Sequence, residues 1–325
     1  MSIAIAVIGA GFMGERWARA IHEHDQAHVT VVADVDEGRG RVLAERFSAR
    51  FIRDPEEAAT AAGVDAVVVC TPEHLHVPPT AAALGAGRPV AVEKPLAHTN
   101  EDAAKIVSLA DKSGLPVLVG HVLRFDPRYA GIKAAIESGT IGKVISIRHE
   151  RIGLDADRAR LGGRTTVALY YAVHELDIAR WYVGDIAGID GAGDSDMLSG
   201  LIRFTSGAHG VVQVGWCLPD RTPGYGIATV TVVGEHGSLR VVQGQLGFHI
   251  VGAHGPEDVD VAYSFEMHGR LRGMLTTEVD HFVRVAAGSS NPLCSVEDGA
   301  AAVAASLALE LSARSNRRVL LREIV

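Results

Sequence analysis

The tripeptide Glu93-Lys94-Pro95 places an ionisable amine directly after a short apolar run, Pro89 to Val92. A run of that kind predicts a buried strand, so the Lys94 ammonium would lose hydration at the strand end. Desolvation favours the neutral amine, and such a lysine can exchange protons near neutral pH. The alternative is a solvated lysine held at the surface by Glu93, as for most charged residues at element ends.

A glycine-rich loop is the second chemical feature. Gly9-Ala10-Gly11-Phe12-Met13-Gly14 follows an apolar run and precedes a predicted helix. In that setting the GxGxxG spacing is typical of dinucleotide-binding sites, where the backbone approaches a pyrophosphate at a helix N-terminus. The candidate cofactor-binding residues of this loop are Gly9, Gly11, Phe12, Met13 and Gly14.

Asp34 ends the next predicted strand, roughly 20 residues after Gly14, where a carboxylate would accept hydrogen bonds from the adenosine ribose. A carboxylate there repels a 2′-phosphate, so the sequence predicts NAD in preference to NADP. Arg39 and Arg41 lie a turn farther on and could rescue NADP binding. The alternative for Asp34 is an ordinary helix or turn cap.

His174 lies on a long predicted helix, residues 166–183. Tyr170, His174 and Asp177 fall at i, i+4 and i+7, which predicts that they share one helix face. Histidine is suited to proton transfer near neutral pH, and a phenol can hydrogen-bond or donate a proton. The alternative is a core helix whose histidine is satisfied by packing, and Asp177 is interpreted as a structural residue that ties the helix to a neighbour.

The first third of the chain must position the loop, Asp34 and Lys94. Near-continuous apolar strands joined by helices predict a parallel sheet covered on both faces, a doubly wound α/β domain over residues 1–120. The predicted strands are 3–8, 29–33, 49–52, 66–70, 89–92 and 115–119, and the helices are 14–24, 38–47, one begun by Asp54-Pro55, 79–86 and 100–112.

The pattern changes beyond His121, where alternating strands and glycine-rich hairpin connections predict an α+β domain with an open-faced, largely antiparallel sheet over 121–325. The segment from 151 to 164 has four arginines, three glycines and no apolar period, which predicts a loop. The predicted strands are 143–149, 199–204, 209–214, 229–233, 238–242 and 247–251, and the helices are 127–138, 166–183, 276–287 and 296–314.

Composition bounds the class of protein. A chain of 325 residues with 47% hydrophobic residues exceeds what one core usually supports, which favours two domains. The net charge of -8 gives no electrostatic footprint for nucleic acid. The apolar start is too short to span a bilayer and runs into the glycine loop, so we expect no membrane association and a cytoplasmic protein. Three widely spaced cysteines argue against a disulfide framework or a zinc knuckle.

Five motifs occur in an order that resembles the glucose-fructose oxidoreductase, inositol dehydrogenase and MocA family. They are Gly9 to Gly14, Cys70-Thr71-Pro72-Glu73-His74-Leu75-His76, Ala91-Val92-Glu93-Lys94-Pro95-Leu96, Arg124-Phe125-Asp126-Pro127 and His174-Glu175-Leu176-Asp177. The resemblance covers nearly the whole chain. It implies an NAD(P)-dependent dehydrogenase for sugars, cyclitols or their derivatives, and a C-terminal sheet through which subunits associate as homodimers or homotetramers.

The resemblance also implies roles for single residues. Thr71, Pro72 and His76 would line the nicotinamide side of the cofactor, Glu93 would orient the nicotinamide ribose, and Lys94 would bridge that ribose and the reacting hydroxyl. A metal site at His74 and His76 is the competing interpretation. We predict no metal, because the sequence nearby offers no third ligand.

Similar inositol dehydrogenases usually carry an aspartate four residues before the histidine, where this chain has Tyr170. The difference puts an inositol substrate in doubt and leaves the reaction type intact. Arg124 and Arg164 lie where the resemblance puts the substrate cleft, and either could bind a carboxylate or phosphate bidentately. The predicted substrate-binding residues are therefore Arg124, Arg164, Tyr170 and His174.

The predicted function is an NAD-dependent oxidoreductase that acts on a secondary alcohol or ketone of a sugar-, amino-sugar- or cyclitol-like substrate. Lys94, His174 and Tyr170 are the candidate catalytic residues, and which of them transfers the proton stays open. Two alternatives remain: a cofactor-bound sensor without turnover, and a reductase for an imine or semialdehyde.

Overall fold

The computed structural model describes residues 2–222, 226–243, 247–252 and 255–324. The chain divides into two compact units. The first consists of Met1–Val122 and Glu266–Ala300, and the second of Leu123–Phe265 and Ala301–Val325. The predicted boundary after residue 120 lies close to this division. The structure differs in adding residues 266–300 to the first unit, where one helix of that segment packs on the first helix and the last strand of the sheet.

The first unit contains a six-stranded parallel sheet in the order β3-β2-β1-β4-β5-β6. Strands β1, β4, β5 and β6 are buried along nearly their whole length, as the apolar runs predict for a parallel sheet. The strands are β1 Ile3–Ile8, β2 Ala27–Ala33, β3 Arg50–Ile52, β4 Ala66–Val69, β5 Val90–Glu93 and β6 Val117–Gly120.

Helices connect these strands, and their termini follow from local sequence. Asp54 caps α3 by accepting hydrogen bonds from the amides of Glu56 and Glu57, with Pro55 at the first helical position. The helices of the first unit are α1 Phe12–His22, α2 Glu37–Arg46, α3 Pro55–Thr60, α4 Val77–Gly85 and α5 Asn100–Ser113, with a 3-10 turn at Glu73–Leu75.

The second unit contains a seven-stranded sheet in the order β12-β11-β7-β10-β9-β8-β17. All neighbouring strands are antiparallel except β7 and β10, which confirms a largely antiparallel α+β sheet. Its strands are β7 Val144–Leu154, β8 Ile186–Gly193, β9 Met197–Phe204, β10 His209–Leu218, β11 Ile227–Gly234, β12 Gly237–Val242 and β17 Val319–Leu320.

Two short hairpins follow β12 along the chain. They are formed by β13 Gly247–Gly252 with β14 Gly255–Asp260, and by β15 Ser264–Met267 with β16 Arg270–Gly273.

The remaining helices are α6 Pro127–Glu137, α7 Asp155–Leu161, a π-helical segment Ala168–Ala172, α8 Val173–Val183, α9 Met274–Ala286 and α10 Val296–Ser315, with 3-10 turns at Val122–Phe125 and Leu321–Glu323. The predicted loop over 151–164 is wrong, because β7 continues to Leu154 and α7 follows it. Among the described residues, no helix is long and apolar enough to span a membrane.

Candidate functional site

The glycine loop connects β1 to α1 at the carboxyl edge of the parallel sheet. Gly9 has a φ of 101°, and a Cβ on it would lie 2.7 Å from the Cys70 carbonyl oxygen. A Cβ on Gly14 would lie 1.7 Å from the Gly9 oxygen, so only glycine permits this close turn. A Cβ on Gly11 would meet no atom within 4 Å, which leaves open space beside the α1 N-terminus. This geometry fits a dinucleotide pyrophosphate.

Asp34 follows β2 and holds the loop from the next strand. Its Oδ2 accepts a hydrogen bond of 2.8 Å from the Ala10 amide, and Oδ1 accepts one of 2.9 Å from the Asp36 amide. The Arg39 guanidinium adds bonds of 3.1 and 2.8 Å to the same carboxylate. Burial opposes ionisation, but the bonds from Arg39, Ala10 and Asp36 outweigh it and lower the pKa of Asp34 below its ordinary value. A ribose would therefore meet an ionised carboxylate that Arg39 already contacts.

His76 is buried one turn after the Thr71-Pro72 segment. Its Nδ1 lies 3.0 Å from the Leu96 carbonyl oxygen and its Nε2 lies 2.9 Å from the Thr71 carbonyl oxygen. Burial outweighs these backbone contacts and lowers the pKa of His76, which favours the neutral ring. The imidazole therefore links the segment after β4 to the segment after β5, and both segments lie at the carboxyl edge of the sheet.

Glu93 and Lys94 follow one another at the end of β5, but their side chains lie in different surroundings. Glu93 is buried, and its Oε1 accepts a 2.8 Å hydrogen bond from Trp17 Nε1 of α1. Its Oε2 accepts a 3.1 Å bond from the Lys94 amide. Lys94 is half-buried and its bond to Pro95 is cis. The structure therefore places the amine at a strand end without burying it fully.

A second buried carboxyl, Glu278 of α9, interacts with Glu93. No part of the Glu278 residue is exposed, and within the described residues neither carboxyl oxygen has a hydrogen-bond partner. Burial and the neighbouring charge of Glu93 raise the pKa of Glu278 well above its ordinary value. Burial also raises the pKa of Glu93, against the opposing effects of Trp17 and Lys94.

In the second unit, His174 is half-buried in the first turn of α8. The turn before it, Ala168–Ala172, is π-helical, so Tyr170 precedes His174 across a widened turn. The predicted shared face for Tyr170, His174 and Asp177 assumed a regular α-helix, and the π segment changes the angle between Tyr170 and the other two.

Tyr170 belongs to an aromatic and charged cluster with α7. Arg160 Nη2 donates a 2.7 Å hydrogen bond to the Tyr170 hydroxyl and a 2.9 Å bond to Asp157 Oδ1. Tyr171 donates a 2.6 Å bond to the other oxygen of Asp157. The rings of Tyr170 and Tyr171 lie 4.7 Å apart, and both contact Trp216. Burial raises the pKa of Tyr170, and the Asp157 charge adds to that effect, so the phenol stays neutral near pH 7.

Arg124 and Asp177 form a buried bidentate ion pair in the second unit. Arg124 Nε lies 3.0 Å from Asp177 Oδ2, and Nη2 lies 2.6 Å from Oδ1, with both side chains at most 2% exposed. The predicted structural role of Asp177 agrees with this contact. A ligand carboxylate at Arg124 would have to compete with Asp177. Arg164 is exposed between α7 and the π segment.

Glu175, next to His174 in α8, is held by two side chains of β7, His149 and Arg151. His149 Nδ1 lies 2.7 Å from Glu175 Oε2, and Arg151 Nε donates to Oε1. Burial opposes ionisation of Glu175, but Arg151 and His149 outweigh it and lower the pKa of Glu175. This network fixes the start of α8 to the sheet.

Comparison with known proteins covers both units. Residues 3–121 match a family described as an oxidoreductase family with an NAD-binding Rossmann fold, and residues 129–240 match the GFO/IDH/MocA C-terminal domain. An inositol 2-dehydrogenase from Acidothermus cellulolyticus is 35% identical over 260 residues, which cover 75% of this chain and 74% of that protein. This chain belongs to the GFO/IDH/MocA oxidoreductase family.

Two further relatives bear on this family member. Inositol 2-dehydrogenase 1 from Saccharopolyspora erythraea is 34% identical over 195 residues, which cover 56% of this chain and 54% of that protein. The match thus spans about half the length of that relative. The crystal structure of GenD2 from gentamicin A biosynthesis in complex with NAD has a TM-score of 0.83 and 26% identity, and the match covers 98% of this chain and 96% of that one.

Sequence reasoning missed several residues of this GFO/IDH/MocA protein. Glu278 could have been found, because it occupies the apolar stripe of α9 with Leu275, Val279 and Phe282, and a carboxylate there signals a buried acid. Arg160 lies in the segment misread as a loop. Trp17 had no signal as a partner of Glu93, because a tryptophan in an amphipathic helix is ordinarily a core residue.

Proposed function

We propose that this chain is an NAD-dependent dehydrogenase that moves a hydride between nicotinamide and a secondary carbinol or ketone of a sugar-, amino-sugar- or cyclitol-like substrate. The single observation that carries the proposal is the carboxyl edge of the parallel sheet. There the glycine loop follows β1, Asp34 follows β2 and Lys94 follows β5, all in one Rossmann unit. The chain belongs to a family of oxidoreductases.

The cofactor assignment rests on the loop geometry and on Asp34. Gly11 leaves room for the pyrophosphate, and Phe12 and Met13 begin the helix whose amides would face it. The ionised Asp34 would accept the ribose hydroxyls and repel a 2′-phosphate. Arg39 already neutralises part of that charge, so the preference for NAD over NADP depends on whether Arg39 stays on Asp34 when the nucleotide binds.

The nicotinamide, when bound, supplies the hydride chemistry. Lys94 stabilises the developing alkoxide through its ammonium, and His174 accepts the alcohol proton in oxidation or returns it in reduction. Glu93 accepts hydrogen bonds from the Trp17 indole and from the Lys94 amide, and it thereby orients Lys94. Thr71, Pro72 and His76 belong to the adjoining segment, which the neutral His76 ring ties to Leu96.

The substrate class rests on Tyr170 and on the relatives. The relatives include inositol 2-dehydrogenases, and GenD2, whose structure is similar to this chain, belongs to gentamicin A biosynthesis. Tyr170 stands where the inositol enzymes usually have a carboxylate, and Arg160 donates to it. A neutral phenol beside a guanidinium favours a substrate with acceptor oxygens at that position. We therefore include modified or acidic cyclitols and sugars, beside inositols, among the candidate substrates. Arg164, which is close to Tyr170 in the sequence, is a further candidate cation for binding them.

A substrate screen tests the proposal. The purified protein is incubated with NAD or NADP and panels of inositols, aldoses, uronic acids and amino sugars, and formation of the reduced cofactor is followed by absorbance. We expect turnover with at least one polyol and NAD. Cofactor binding without turnover on any member, including ketones in the reverse direction, would contradict the proposal and favour a sensor.

A further inference from the structure

Helix α9 carries one acidic residue into the interior of the first unit. Its buried stripe includes Leu275, Glu278, Val279 and Phe282, and the Phe282 ring meets Trp17 edge-on at 6.2 Å between ring centroids. Trp17 in turn donates its indole N–H to Glu93. The contacts of Trp17 thus connect the helix bearing Glu278 to the carboxyl group of Glu93.

The two carboxyl groups have unequal environments. Glu93 accepts two N–H donors, one from Trp17 and one from the Lys94 amide, which favour its ionised form. Glu278 has no partner on either oxygen within the described residues and no exposed surface, so its ionised form would be a buried, unsolvated charge. The proton of such a pair therefore resides on Glu278, and the pair carries one negative charge.

We propose that the buried pair Glu93 and Glu278 carries one proton, on Glu278, in the free protein and releases it to solvent when an oxidised nicotinamide dinucleotide binds. The inference rests on the proposed function, which puts the nicotinamide at the carboxyl edge of the sheet, where β5 ends in Glu93. The oxidised ring carries a positive charge and the reduced ring does not. A cation near Glu93 favours the doubly ionised pair, because an opposite charge within a few ångströms stabilises a carboxylate. The step breaks only the O–H bond of Glu278: the electron pair stays on the carboxylate and the proton passes to solvent.

Three other titratable groups lie near the ends of the strands around Glu93: Lys94, Cys70 and His121. Lys94 follows Glu93 and its charge favours ionisation of that carboxyl. Burial and both carboxyl groups raise the pKa of Cys70, the residue after β4, well above its ordinary value. Its thiol therefore stays protonated near neutral pH. His121 follows β6, the strand beside β5. Of these groups, Lys94 and His121 are alternative sources of a released proton.

The consequence is a redox-selective pH dependence. Affinity for the oxidised cofactor should rise with pH, by up to about tenfold per pH unit for one linked proton, while affinity for the reduced cofactor stays level. The protein would thereby bind oxidised and reduced cofactor in a ratio set by pH, before any substrate is present.

Calorimetric titration tests this on the full chain without turnover. NAD+ and NADH are titrated between about pH 6 and 9 in two buffers of different ionisation enthalpy, which measures protons released per bound nucleotide. The variants are Glu278→Gln, which is isosteric with the protonated acid, and Asp280→Asn on the exposed side of the same helix as control. A Lys94→Met variant tests one of the alternative proton sources.

We expect NAD+ to release up to one proton per chain from the wild type and from Asp280→Asn, and NADH to release none. Glu278→Gln should bind NAD+ with no proton release and a level pH dependence. Equal release with both nucleotides, retained release in Glu278→Gln, or loss of release only in Lys94→Met would overturn the proposal. Should Glu278→Gln not fold, the wild-type comparison of NAD+ with NADH decides. If NAD+ binds without proton release, only the proposal for Glu93 and Glu278 is overturned. If neither nucleotide binds, the cofactor assignment is overturned as well.

Discussion

Lys94 is the residue on which the proposed chemistry most depends. It is half-buried at the end of β5, between the buried Glu93 and the buried Pro95. That position fits a proton-exchanging or charge-stabilising lysine, and it also fits the simple strand-end lysine that the sequence allowed. Activity separates the two interpretations.

Lys94→Met should abolish turnover and leave NADH binding largely intact, because the glycine loop and Asp34 would hold the dinucleotide. We expect kcat to fall by at least the factor of about 10²–10³ typical of removing one group that stabilises an oxyanion. Steady-state rates and the NADH dissociation constant are measured on the same sample. The matched control is Lys112→Met, an exposed lysine of α5. Near wild-type turnover in Lys94→Met would identify Lys94 as a solvated strand-end residue.

His174→Ala should lower kcat by about 10²–10⁴ and flatten one limb of the pH–rate profile, as loss of a general acid–base does. Tyr170→Phe should cost less, because the ring keeps its contacts with Tyr171 and Trp216 although the bond from Arg160 to the hydroxyl is lost, and the hydride path stays with the cofactor. Both variants are compared by kcat and kcat/KM, since a loss confined to KM reports substrate binding. A larger kcat loss in Tyr170→Phe, with the pH dependence of His174→Ala retained, would make the phenol the proton donor.

Asp34 and Arg39 together should decide cofactor choice. We expect NADH to bind more tightly than NADPH by about 1–3 kcal/mol, the scale of an unsatisfied polar contact. Arg39→Ala should widen that preference by removing the guanidinium that could meet a 2′-phosphate, and Asp34→Ala should reduce or reverse it. Fluorescence titration of the wild type and the two variants with both nucleotides measures the six dissociation constants. Equal affinities in the wild type, unchanged by either substitution, would refute the role of Asp34.

At the scale of elements, the start of α8 depends on the Glu175 network with His149 and Arg151. Glu175→Gln should destabilise the protein by about 3–5 kcal/mol, because it leaves the largely buried Arg151, whose side chain is 12% exposed, without its counter-ion. Glu137→Gln, in an exposed pair with Lys133, should cost at most about 1 kcal/mol and serves as control. Urea unfolding at neutral pH measures both. A small loss in Glu175→Gln would show that solvent screens Arg151.

The same network predicts a direction for pH. The folded-state pKa of Glu175 is lowered, so its contribution is present above the unfolded carboxyl pKa and is lost as pH falls through the folded value. Wild-type stability should therefore fall more steeply on the acid side than that of Glu175→Gln. Glu278 acts in the opposite sense, since its raised pKa makes stability fall as pH rises above the unfolded carboxyl value.

The sequence predicted most elements of the parallel sheet, because its strands are continuous apolar runs separated by caps such as Asp54-Pro55. It failed where side chains are small or charged. Strand β8 contains three glycines in Ile186–Gly193 and shows no clean alternation, and α7 is rich in arginine and aspartate whose pairing stabilises it only after folding. The π segment before His174 has no sequence signal; within it, Tyr171 packs against Gly153 and donates a hydrogen bond to Asp157, contacts that only the tertiary fold creates.

The candidate site was predictable in its residue types and less so in its contacts. The glycine spacing and Asp34 followed from the strand–loop–helix order. Arg124 was interpreted as a ligand for an anionic substrate, but its partner Asp177 lies 53 residues away in sequence. No local pattern reveals such a pair, since only the tertiary fold brings the two side chains together. The same holds for Glu93 and Glu278.

At the scale of the molecule, one face of the seven-stranded sheet in the second unit carries exposed apolar side chains. Alternate residues of β10 and β11 are buried, while Val211, Ile227 and Val233 are each 39% exposed. A groove of about 580 Å³ on this face is lined by residues of β7, β10, β11 and β12, with Arg148, Glu150 and Arg240 among them. Exposed apolar strand residues flanked by charges of both signs fit a self-complementary contact.

We therefore expect the chain to form a homodimer or homotetramer through this face. A symmetric contact brings the same patch of two copies together, so one charge added there is repeated across the axis and repels itself. Val211→Glu with Val233→Glu should shift the sedimentation coefficient towards the monomer without loss of helix content. Val42→Glu on α2, which replaces an apolar residue that is 68% exposed, should leave assembly unchanged. A wild type that sediments as a monomer at micromolar concentration would contradict the assembly, and an oligomer insensitive to the paired substitution would place the contact on another surface.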